Sequence, residues 1–508
     1  MGFSIPGTAK AWAVVNGTHS ISDKEAALES PGASTYVSDD AGGEGVVKDW
    51  TDAEERAVLR KLDMIIMPLV TFGFFCYQLE RGNVSNALTS TLLEDVGITQ
   101  DQFNTGQGLL YLGIVLLEIP SNVVLQRIGP QIWITFQILC FGLVATLQSL
   151  QKSYGGFIAC RMMLGVVECG YIPGSLYLIS MFYKKEELAV RNAAFYLGSG
   201  IAGAVGGLFA AGILQLGGKS GLAGWQWLFI IEGSIALFCA VLFILFLPGS
   251  PLRPTPLLFP RLHYFDERQR HILQARVVLD DSSKAGTDRP LTVQEILATL
   301  KDPRVWPHVL IAVSLKAPTG AMTTYATKYI KSLGFTTLKA NSLSSVSSWI
   351  GIFFTIGFAL VSDRLDIRGP VLIVSIGFYW VFWVAFQQVS LQDSKWTKYA
   401  MLTMTQSFNA AWHPLNATWL SLNCQTPQQR SVAMAMFVMA ANTGSAVGSQ
   451  ILRAGDAPNY HTGLIVCEVL VSLGFLTSIL QNLWYRHGNK RIRDGRIKEG
   501  ERTVEYIE

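Results

Sequence analysis

Two charged side chains lie inside one long apolar stretch, residues 154–183, which is long enough to cross a bilayer. Arg161 and Glu168 are seven residues apart. Seven residues of α-helix return to within about 20° of the starting direction, so both side chains share one face, roughly 10 Å apart along the axis. A charge at mid-membrane costs at least about 2.5–3.5 kcal/mol, so such groups face water or each other. The spacing predicts either a substrate or proton site, or an ion pair that joins two helices.

An earlier apolar segment ends in a second charged group, QLERGNVSNA, which contains Glu80, Arg81 and Asn83. Neighbouring residues on a helix point about 100° apart, so Glu80 and Arg81 cannot simply pair with each other. Arg161 and Glu168 are their expected partners in a net-neutral tetrad. Protonation of one acid would free an arginine, which can bind a carboxylate through two parallel hydrogen bonds. The alternative for Glu80 and Arg81 is a pair that reaches toward the outer membrane interface.

Several polar or aromatic residues lie inside other apolar segments and are candidates for lining a substrate path. A lone His or Asn in such a helix more often makes an interhelical hydrogen bond than it binds a ligand, so both interpretations stay open. Lys328 lies close enough to the outer end of its segment to snorkel, which leaves Lys316 as the better candidate cation. The candidates are Lys316, Tyr325, His413, Asn416 and Asn442, together with Asn83 and Tyr171 from the first half.

The composition is that of an integral membrane protein. Half of the 508 residues are hydrophobic and 15% are charged, whereas soluble domains carry about 25% charged residues. The net charge of +3 argues against a nucleic-acid partner. The seven cysteines lie singly, so neither a disulfide framework nor a zinc site is indicated. No clustered His or Ser/His set suggests an enzyme, and we expect no metal and no cofactor.

Twelve apolar segments predict an all-α polytopic membrane protein with twelve transmembrane helices in two six-helix, pseudo-symmetric halves. The expected domains are a disordered N-terminal tail (1–60), a first bundle (61–247), a central linker (248–306), a second bundle (307–485) and a basic C-terminal tail (486–508). The predicted spans are 62–86, 106–126, 131–150, 154–182, 191–215, 226–247, 307–331, 341–362, 369–390, 397–421, 431–452 and 462–485.

The distribution of Lys and Arg predicts the orientation. Every even-numbered junction between spans is basic, including the linker and the run Arg486–Arg502, whereas residues 87–105 contain no Lys or Arg. Basic loops stay in the cytosol, so both termini and the linker are expected there.

A weak repeat relates two of these basic junctions. In GFALVSDRLDIRG, Gly357 precedes Asp363 by six residues and Arg364 follows directly; in PSNVVLQRIG, Arg127 occupies the position of Arg364. An acid–base pair at a tight turn can bond helix ends and charges of the neighbouring half, so these four residues are candidates for conformational gating. The alternative is a plain positive-inside anchor, which suits Arg127 in particular because its copy lacks the acid.

GSGIAG at residues 198–203 has the dinucleotide-binding spacing but not its context. No strand precedes it, and it lies inside a long apolar helix. Gly203 and Gly207 instead form a GxxxG pattern, which predicts a surface packed closely against another helix.

The twelve spans and the GxxxxxDR loop resemble the major facilitator superfamily. RMMLGVVECGYIPGSLYLISMFYKKEELAVRNA, QLERGNVSNA and GLAGWQWLFIIEG are more specific, and resemble its anion:cation symporter branch, within it the fungal allantoate-permease-like group. That group includes carriers for allantoate, nicotinate, pantothenate and biotin. The resemblance covers roughly residues 50–485.

The resemblance implies roles for four residues. Glu80 and Glu168 would couple transport to protons, and Arg81, with Arg161 as partner, would bind the anionic substrate. Two departures concern the substrate: the first acid is commonly Asp in the branch, and the seventh span commonly has a proline near Thr327, which TTYATKYI lacks.

The sequence therefore predicts a monomeric plasma-membrane importer that moves a small organic anion with protons as its two halves rock about a central site. An exporter of an anionic secondary metabolite is a rival with the same fold. A transport-deficient nutrient sensor is a second rival, although the long extra cytosolic domain usual for it is missing.

Overall fold

The computed structural model describes residues 37–38, 44–45, 48–280, 292–389, 394–457, 460–494 and 505–507. Most of the predicted N-terminal tail and part of the predicted C-terminal tail lie outside these residues. Two short strands, β1 (Val37–Ser38) and β2 (Glu44–Gly45), pair antiparallel. Helical structure begins at Asp52, within the segment predicted as a tail, because Thr51 caps the first helix through a reciprocal bond with Glu54.

The first half consists of helices joined by short turns. Thr99 forms the same type of cap at the start of the second long helix, and Pro130 begins the next one, where its missing N–H costs no hydrogen bond. The helices are α1 (Asp52–Ala87), α2 (Leu92–Val96), α3 (Gln100–Ile128), α4 (Pro130–Leu147), α5 (Tyr154–Glu168), α6 (Tyr171–Phe182), α7 (Lys185–Ile213) and α8 (Gly224–Phe246).

Two shorter helices lie in the linker, and seven helices form the second half. The linker helices are α9 (Glu267–Asp280) and α10 (Val293–Lys301). The second half contains α11 (Trp306–Ser332), α12 (Thr337–Leu365), α13 (Gly369–Gln388), α14 (Lys395–Phe408), α15 (Trp412–Asn423), α16 (Pro427–Gly448) and α17 (His461–Arg493).

The protein is an all-α membrane protein apart from the short strand pair. Within the described residues, ten helical segments are long and apolar enough to cross a membrane. The predicted seventh and tenth spans correspond to α11 and to the pair α14 and α15, which fall outside these ten.

The expectation of one continuous helix over 154–182 is wrong. The helix breaks at Cys169–Gly170, where Gly170 adopts a positive φ of 76°. The carbonyl oxygen of Cys169, released from the helix, accepts hydrogen bonds from Gln137 Nε2 and from Ser121 Oγ at 2.8 Å. Buried side chains thus replace the backbone bonds that the break removes.

The predicted tenth span breaks in the corresponding place of the second half. Helix α14 ends at Phe408 and α15 begins at Trp412. Asn409 lies at the break, and its Oδ1 accepts hydrogen bonds from Thr319 Oγ1 at 2.6 Å and from Trp412 Nε1 at 3.0 Å. The fourth span of each half therefore consists of two helical pieces.

The two halves are joined most closely at one end of the bundle. We call the end with Asp52 and Arg493 the termini end, and the opposite end the far end. At the far end, Lys328 Nζ donates to Gln100 Oε1 at 2.9 Å, and Asn104 Nδ2 donates to the carbonyl of Leu452 at 2.9 Å. Tyr325 donates its phenolic hydroxyl to Asn104. These bonds connect α3 with α11 and with the end of α16, so the halves are closed here.

The glycines of the predicted GxxxG pattern form part of this closure. A Cβ atom at Gly207 would clash with the backbone oxygen of Asn341 on α12, and one at Gly203 would lie 3.0 Å from Ser348 Oγ. The prediction of a close-packed glycine surface is therefore confirmed. Its partner is a helix of the other half.

Candidate functional site

Arg81 and Glu168 meet inside the first half. Arg81 Nε lies 3.1 Å from Glu168 Oε2, and this is the pairing that the helix geometry suggested. Glu168 is the last residue of α5, directly before the break, and its side chain is 0% exposed, whereas the side chain of Arg81 is 21% exposed. The pair thus consists of a fully buried acid and a partly accessible base.

Two tyrosine rings hold the Arg81 guanidinium. Its central carbon lies 5.1 Å from the ring of Tyr77 and 5.3 Å from the ring of Tyr111. Both distances fit cation–π contacts, which orient a planar guanidinium without using its N–H donors. The Nε and Nη2 atoms are buried, and Nε faces Glu168. An anion could therefore approach Arg81 only through the exposed 21% of its side chain.

Glu80 lies on the other side of Glu168. It accepts a hydrogen bond from Gln148 Nε2 at 3.1 Å, and its carboxyl is within hydrogen-bonding reach of the Glu168 carboxyl. Arg161, which is 1% exposed, interacts electrostatically with both acids. Two neighbouring carboxylates repel, and a single proton between them turns that repulsion into a hydrogen bond. The group can therefore hold a proton.

Two further buried acids join this group, and neither was among the predicted site residues. Glu118 of α3 interacts electrostatically with Arg81. Glu232 of α8 faces the side chain of Asn83 and lies near Glu80. Both acids are acidic residues inside apolar spans, which is the signal that identified Glu168, and Glu232 lies in the motif GLAGWQWLFIIEG. The sequence therefore shows that these spans contain acids, but it does not show the direction in which each acid faces.

The second half contributes Lys316 and His413. Lys316 of α11 interacts electrostatically with Arg81 across the space between the halves and with His413 of α15. The His413 ring packs against Phe437 at 4.9 Å. Helices α11 and α16 can pack closely at Lys316 because α16 has a glycine there: a Cβ at Gly444 would lie 2.9 Å from Lys316 Cβ. Cations from both halves are thus close enough to interact with each other.

The remaining predicted binding residues lie elsewhere. Tyr171 is buried in the first-half core and stacks on Tyr77 at 5.1 Å, one layer behind Arg81. Tyr325 belongs to the far-end closure. Asn442 donates to the Val438 carbonyl of its own helix at 3.2 Å.

Asn416 lies in the core of the second half, near the termini end. Its Oδ1 is 2.6 Å from His308 Nδ1, and its Nδ2 donates to the His308 carbonyl at 3.1 Å. The other ring nitrogen of His308 lies 3.0 Å from the Tyr485 hydroxyl. Asn416 is fully buried, so its contacts are those of a structural hydrogen bond, the alternative that the sequence had left open.

The four predicted gating residues lie at the termini end. Arg127 is exposed in the last turn of α3, and Gly357 has open space around it on α12. Asp363 pairs with Arg368, while Arg364 is exposed. The turn at Asp366, with a φ of 51°, brings Arg368 back over the end of α12, where it pairs with Asp363.

The sequence is similar to fungal transporters along most of its length. Residues 70–449 match the Major Facilitator Superfamily. An uncharacterized transporter of Schizosaccharomyces pombe is 29% identical over 86% of this chain and 84% of its own. The MFS-type transporter cnsO of Penicillium expansum is 28% identical over 82% and 80%, respectively.

The fold is similar to that of solved transporters. A D-xylose–proton symporter superposes with a TM-score of 0.61, at 14% identity, over 82% of this chain and 96% of its own. A bacterial homologue of the human lysosomal transporter Spinster, in an inward-facing and occupied conformation, gives a TM-score of 0.62 at 13% identity over 86% and 98%.

Proposed function

Because this chain belongs to the major facilitator superfamily and is a membrane transporter rather than an enzyme, we propose that it moves a small organic anion together with a proton. Transport follows alternating access of the two halves around the central charged group. The expected location is the plasma membrane, with both termini in the cytosol and the protein acting as a monomer.

The Arg81–Glu168 pair is the observation that carries this proposal. The acid is fully buried and the base reaches the space between the halves. While Glu168 is charged, it competes with any substrate carboxylate for Arg81. Protonation of Glu168 removes that competition, so binding of the proton raises the affinity for the anion, and binding of the anion raises the affinity for the proton.

The position of Lys316 supports a substrate that is bound by both halves of the protein. Lys316 belongs to the second half and interacts with Arg81 of the first. Two cations that face each other across an open space repel, and an anion between them removes that repulsion. The bound anion would thereby draw the halves together, which is what closure around a substrate requires.

The closed far end supports an assignment of the conformation. The hydrogen bonds between Gln100 and Lys328 and between Asn104 and Leu452 join the halves there. The basic junctions predict that the termini end faces the cytosol. With that orientation, the described conformation is the one closed to the outside.

The test is uptake into proteoliposomes under an inward proton gradient. The panel contains nicotinate, pantothenate, biotin, allantoate and short dicarboxylates, with a neutral sugar as the comparison. Gradient-driven accumulation of one carboxylate would support the proposal. Accumulation of a neutral sugar with no carboxylate would overturn the anion class, and accumulation without a proton gradient would overturn the coupling.

A further inference from the structure

Two segments outside the membrane spans hold the termini ends of the broken helices. In the first half the segment is α9 of the linker, and it holds α6. In the second half the segment is the chain end, residues 505–507, and it holds α15. Helices α6 and α15 are the second pieces of the fourth and tenth spans, so each segment holds the piece that follows a break.

The contact of α9 with α6 runs through one buried arginine. Arg276 is 0% exposed, and its Nη1 and Nη2 atoms donate to the two carboxylate oxygens of Glu187 at 3.1 and 2.7 Å. Its Nη2 also donates to the carbonyl of Phe182, the last residue of α6, at 3.3 Å. Arg276 thus joins α9 to the end of α6 and the start of α7 through a buried, bidentate ion pair.

The chain end is held through its backbone by two asparagines. Asn489 of α17 donates to the Tyr506 carbonyl at 2.9 Å and accepts from the Tyr506 N–H at 2.6 Å. Asn423 of α15 donates to the Ile507 carbonyl at 3.1 Å and accepts from the Ile507 N–H at 3.0 Å. Trp419 Nε1 donates to the same carbonyl at 2.8 Å. The two carboxamides thus bind the tail as a neighbouring strand would.

The Tyr506 side chain fills the adjoining space. Its ring stacks on Tyr485 at 4.7 Å with an interplanar angle of 8°. Its hydroxyl accepts a hydrogen bond from Arg304 Nη1 at 2.8 Å. Burial opposes the charged form of Arg304, but hydrogen bonds with Asp302 and Tyr506 outweigh it and raise the pKa of Arg304, so this donor stays charged.

These contacts form a prepared peptide site. Asn489, Trp419 and Tyr485 are 1%, 0% and 2% exposed. Each of the two asparagines presents both a donor and an acceptor to the backbone of one tail residue, Asn489 to Tyr506 and Asn423 to Ile507. Tyr506 and Ile507 themselves are half-buried, so the tail lies at the protein surface on top of these buried side chains.

We propose that residues 505–507 are a displaceable peptide ligand of this groove, and that their docking restrains α15. The tail binds α15 through Trp419 and Asn423 and binds α17 through Tyr485 and Asn489, so it ties the piece after the break to a separate helix. Tyr506 and Ile507 are half-buried, whereas Arg276 is 0% exposed, so the tail is the more accessible of the two contacts. The tail is therefore the proposed reversible restraint of the two.

The first experiment measures peptide binding. A chain ending at Val504 is titrated with a fluorescent peptide of residues 501–508, and the full-length protein is titrated alongside. We expect saturable binding to the shortened chain and at least about tenfold weaker binding to the full-length protein, since its own tail competes. The peptide with Tyr506→Ala should bind more weakly, and a scrambled peptide should not bind.

Two variants of the shortened chain locate the site. Asn423→Ala and Asn489→Ala should each weaken binding of the peptide, while Asn442→Ala, on α16, should leave it unchanged. Thermal unfolding of each variant shows whether it is folded. Absence of saturable binding to the folded shortened chain, or binding that both groove variants leave unchanged, would overturn the assignment of the groove.

Hydrogen–deuterium exchange tests the restraint without any transported substrate. In the shortened chain, we expect the amides of Trp412–Asn423 to exchange about tenfold faster than in the full-length protein, and excess peptide to restore their protection. The amides of Lys395–Phe408, before the break, serve as the internal reference. Equal exchange of α15 with and without the tail would overturn the proposed restraint even if the peptide binds.

Discussion

Arg81 exposes 21% of its side chain, whereas Glu168, whose Oε2 lies 3.1 Å from Arg81 Nε, exposes none. The acid can therefore affect a ligand only through its partner. In the proposed mechanism, Arg81 transmits the protonation state of Glu168 to a bound anion, and the first two predictions below concern this pair.

Glu168→Gln should uncouple transport from the proton gradient. The amide keeps the size of the side chain but carries no charge and no titratable proton, so Arg81 stays permanently available. We expect gradient-driven accumulation to fall at least about tenfold, within the 5–150-fold range of ordinary coupling energies, while counterflow of the same substrate persists.

Glu468→Gln is the matched control for this variant, since Glu468 lies on α17 outside the central group. It should accumulate substrate like the wild type. Accumulation that survives in Glu168→Gln would contradict the assigned role and leave Glu80 as the candidate proton carrier.

Arg81→Lys should weaken substrate binding although it preserves the charge. An ammonium cannot present two parallel N–H donors to a carboxylate, and it fits less well between the Tyr77 and Tyr111 rings. We expect KM to rise about tenfold, which corresponds to about 1.4 kcal/mol. Arg261→Lys, in the exposed linker, is the control, and an unchanged KM in Arg81→Lys would argue against direct anion binding.

Lys316→Met should also raise KM, and its effect should depend on Arg81. If both cations bind one anion, the double variant Arg81→Lys with Lys316→Met should lose less binding free energy than the sum of the losses in the two single variants. We expect an interaction energy of at least about 0.5 kcal/mol from the double-mutant cycle of KM values. Strictly additive free energies in this cycle would indicate that the two cations do not bind the same anion.

Gly207→Val should prevent closure of the far end. A side chain there meets the backbone of Asn341 on α12, whereas the same change at Gly212, on the same helix, meets nothing within 4 Å. We expect transport by Gly207→Val to fall at least about tenfold while Gly212→Val stays near wild type. Distances between spin labels across the far end should lengthen only in Gly207→Val.

Asn416→Ala should reduce stability rather than substrate affinity. The change removes the buried partner of His308 Nδ1, which costs about 1–3 kcal/mol, while Tyr485 still contacts the other ring nitrogen. We expect a lower Tm with an unchanged KM. Asn442→Ala should change Tm only slightly, since the Asn442 amide donates its hydrogen bond to a carbonyl of its own helix. A raised KM with an unchanged Tm would instead support Asn416 as a substrate ligand.

The sequence predicted the buried charges because charge inside an apolar span is rare and costly. The pairing of Arg81 with Glu168 also followed from the sequence, since adjacent residues on a helix diverge by about 100°. The glycine surface of α7 was predicted for a similar local reason. Each of these inferences needed only the period of one helix.

The helix breaks could not be predicted in the same way. Gly170 lies in an unbroken apolar run, and glycine is common in membrane helices that do not break. The break depends on Ser121 and Gln137, which reach the Cys169 carbonyl from α3 and α4. The opposite outcomes for Lys316 and Asn416 depend likewise on the direction in which each helix faces, and no single-helix pattern contains that information.

The central group of charged residues has one carboxylate more than it has cations: Glu80, Glu118, Glu168 and Glu232 stand against Arg81, Arg161 and Lys316. With all four acids charged, the group carries one net negative charge, and one added proton brings it to neutrality. In the proposed mechanism, an anion therefore binds more readily after a proton than before it. A carrier loaded with one proton and one monovalent anion moves no net charge, so its uptake follows the pH difference across the membrane and ignores the membrane voltage.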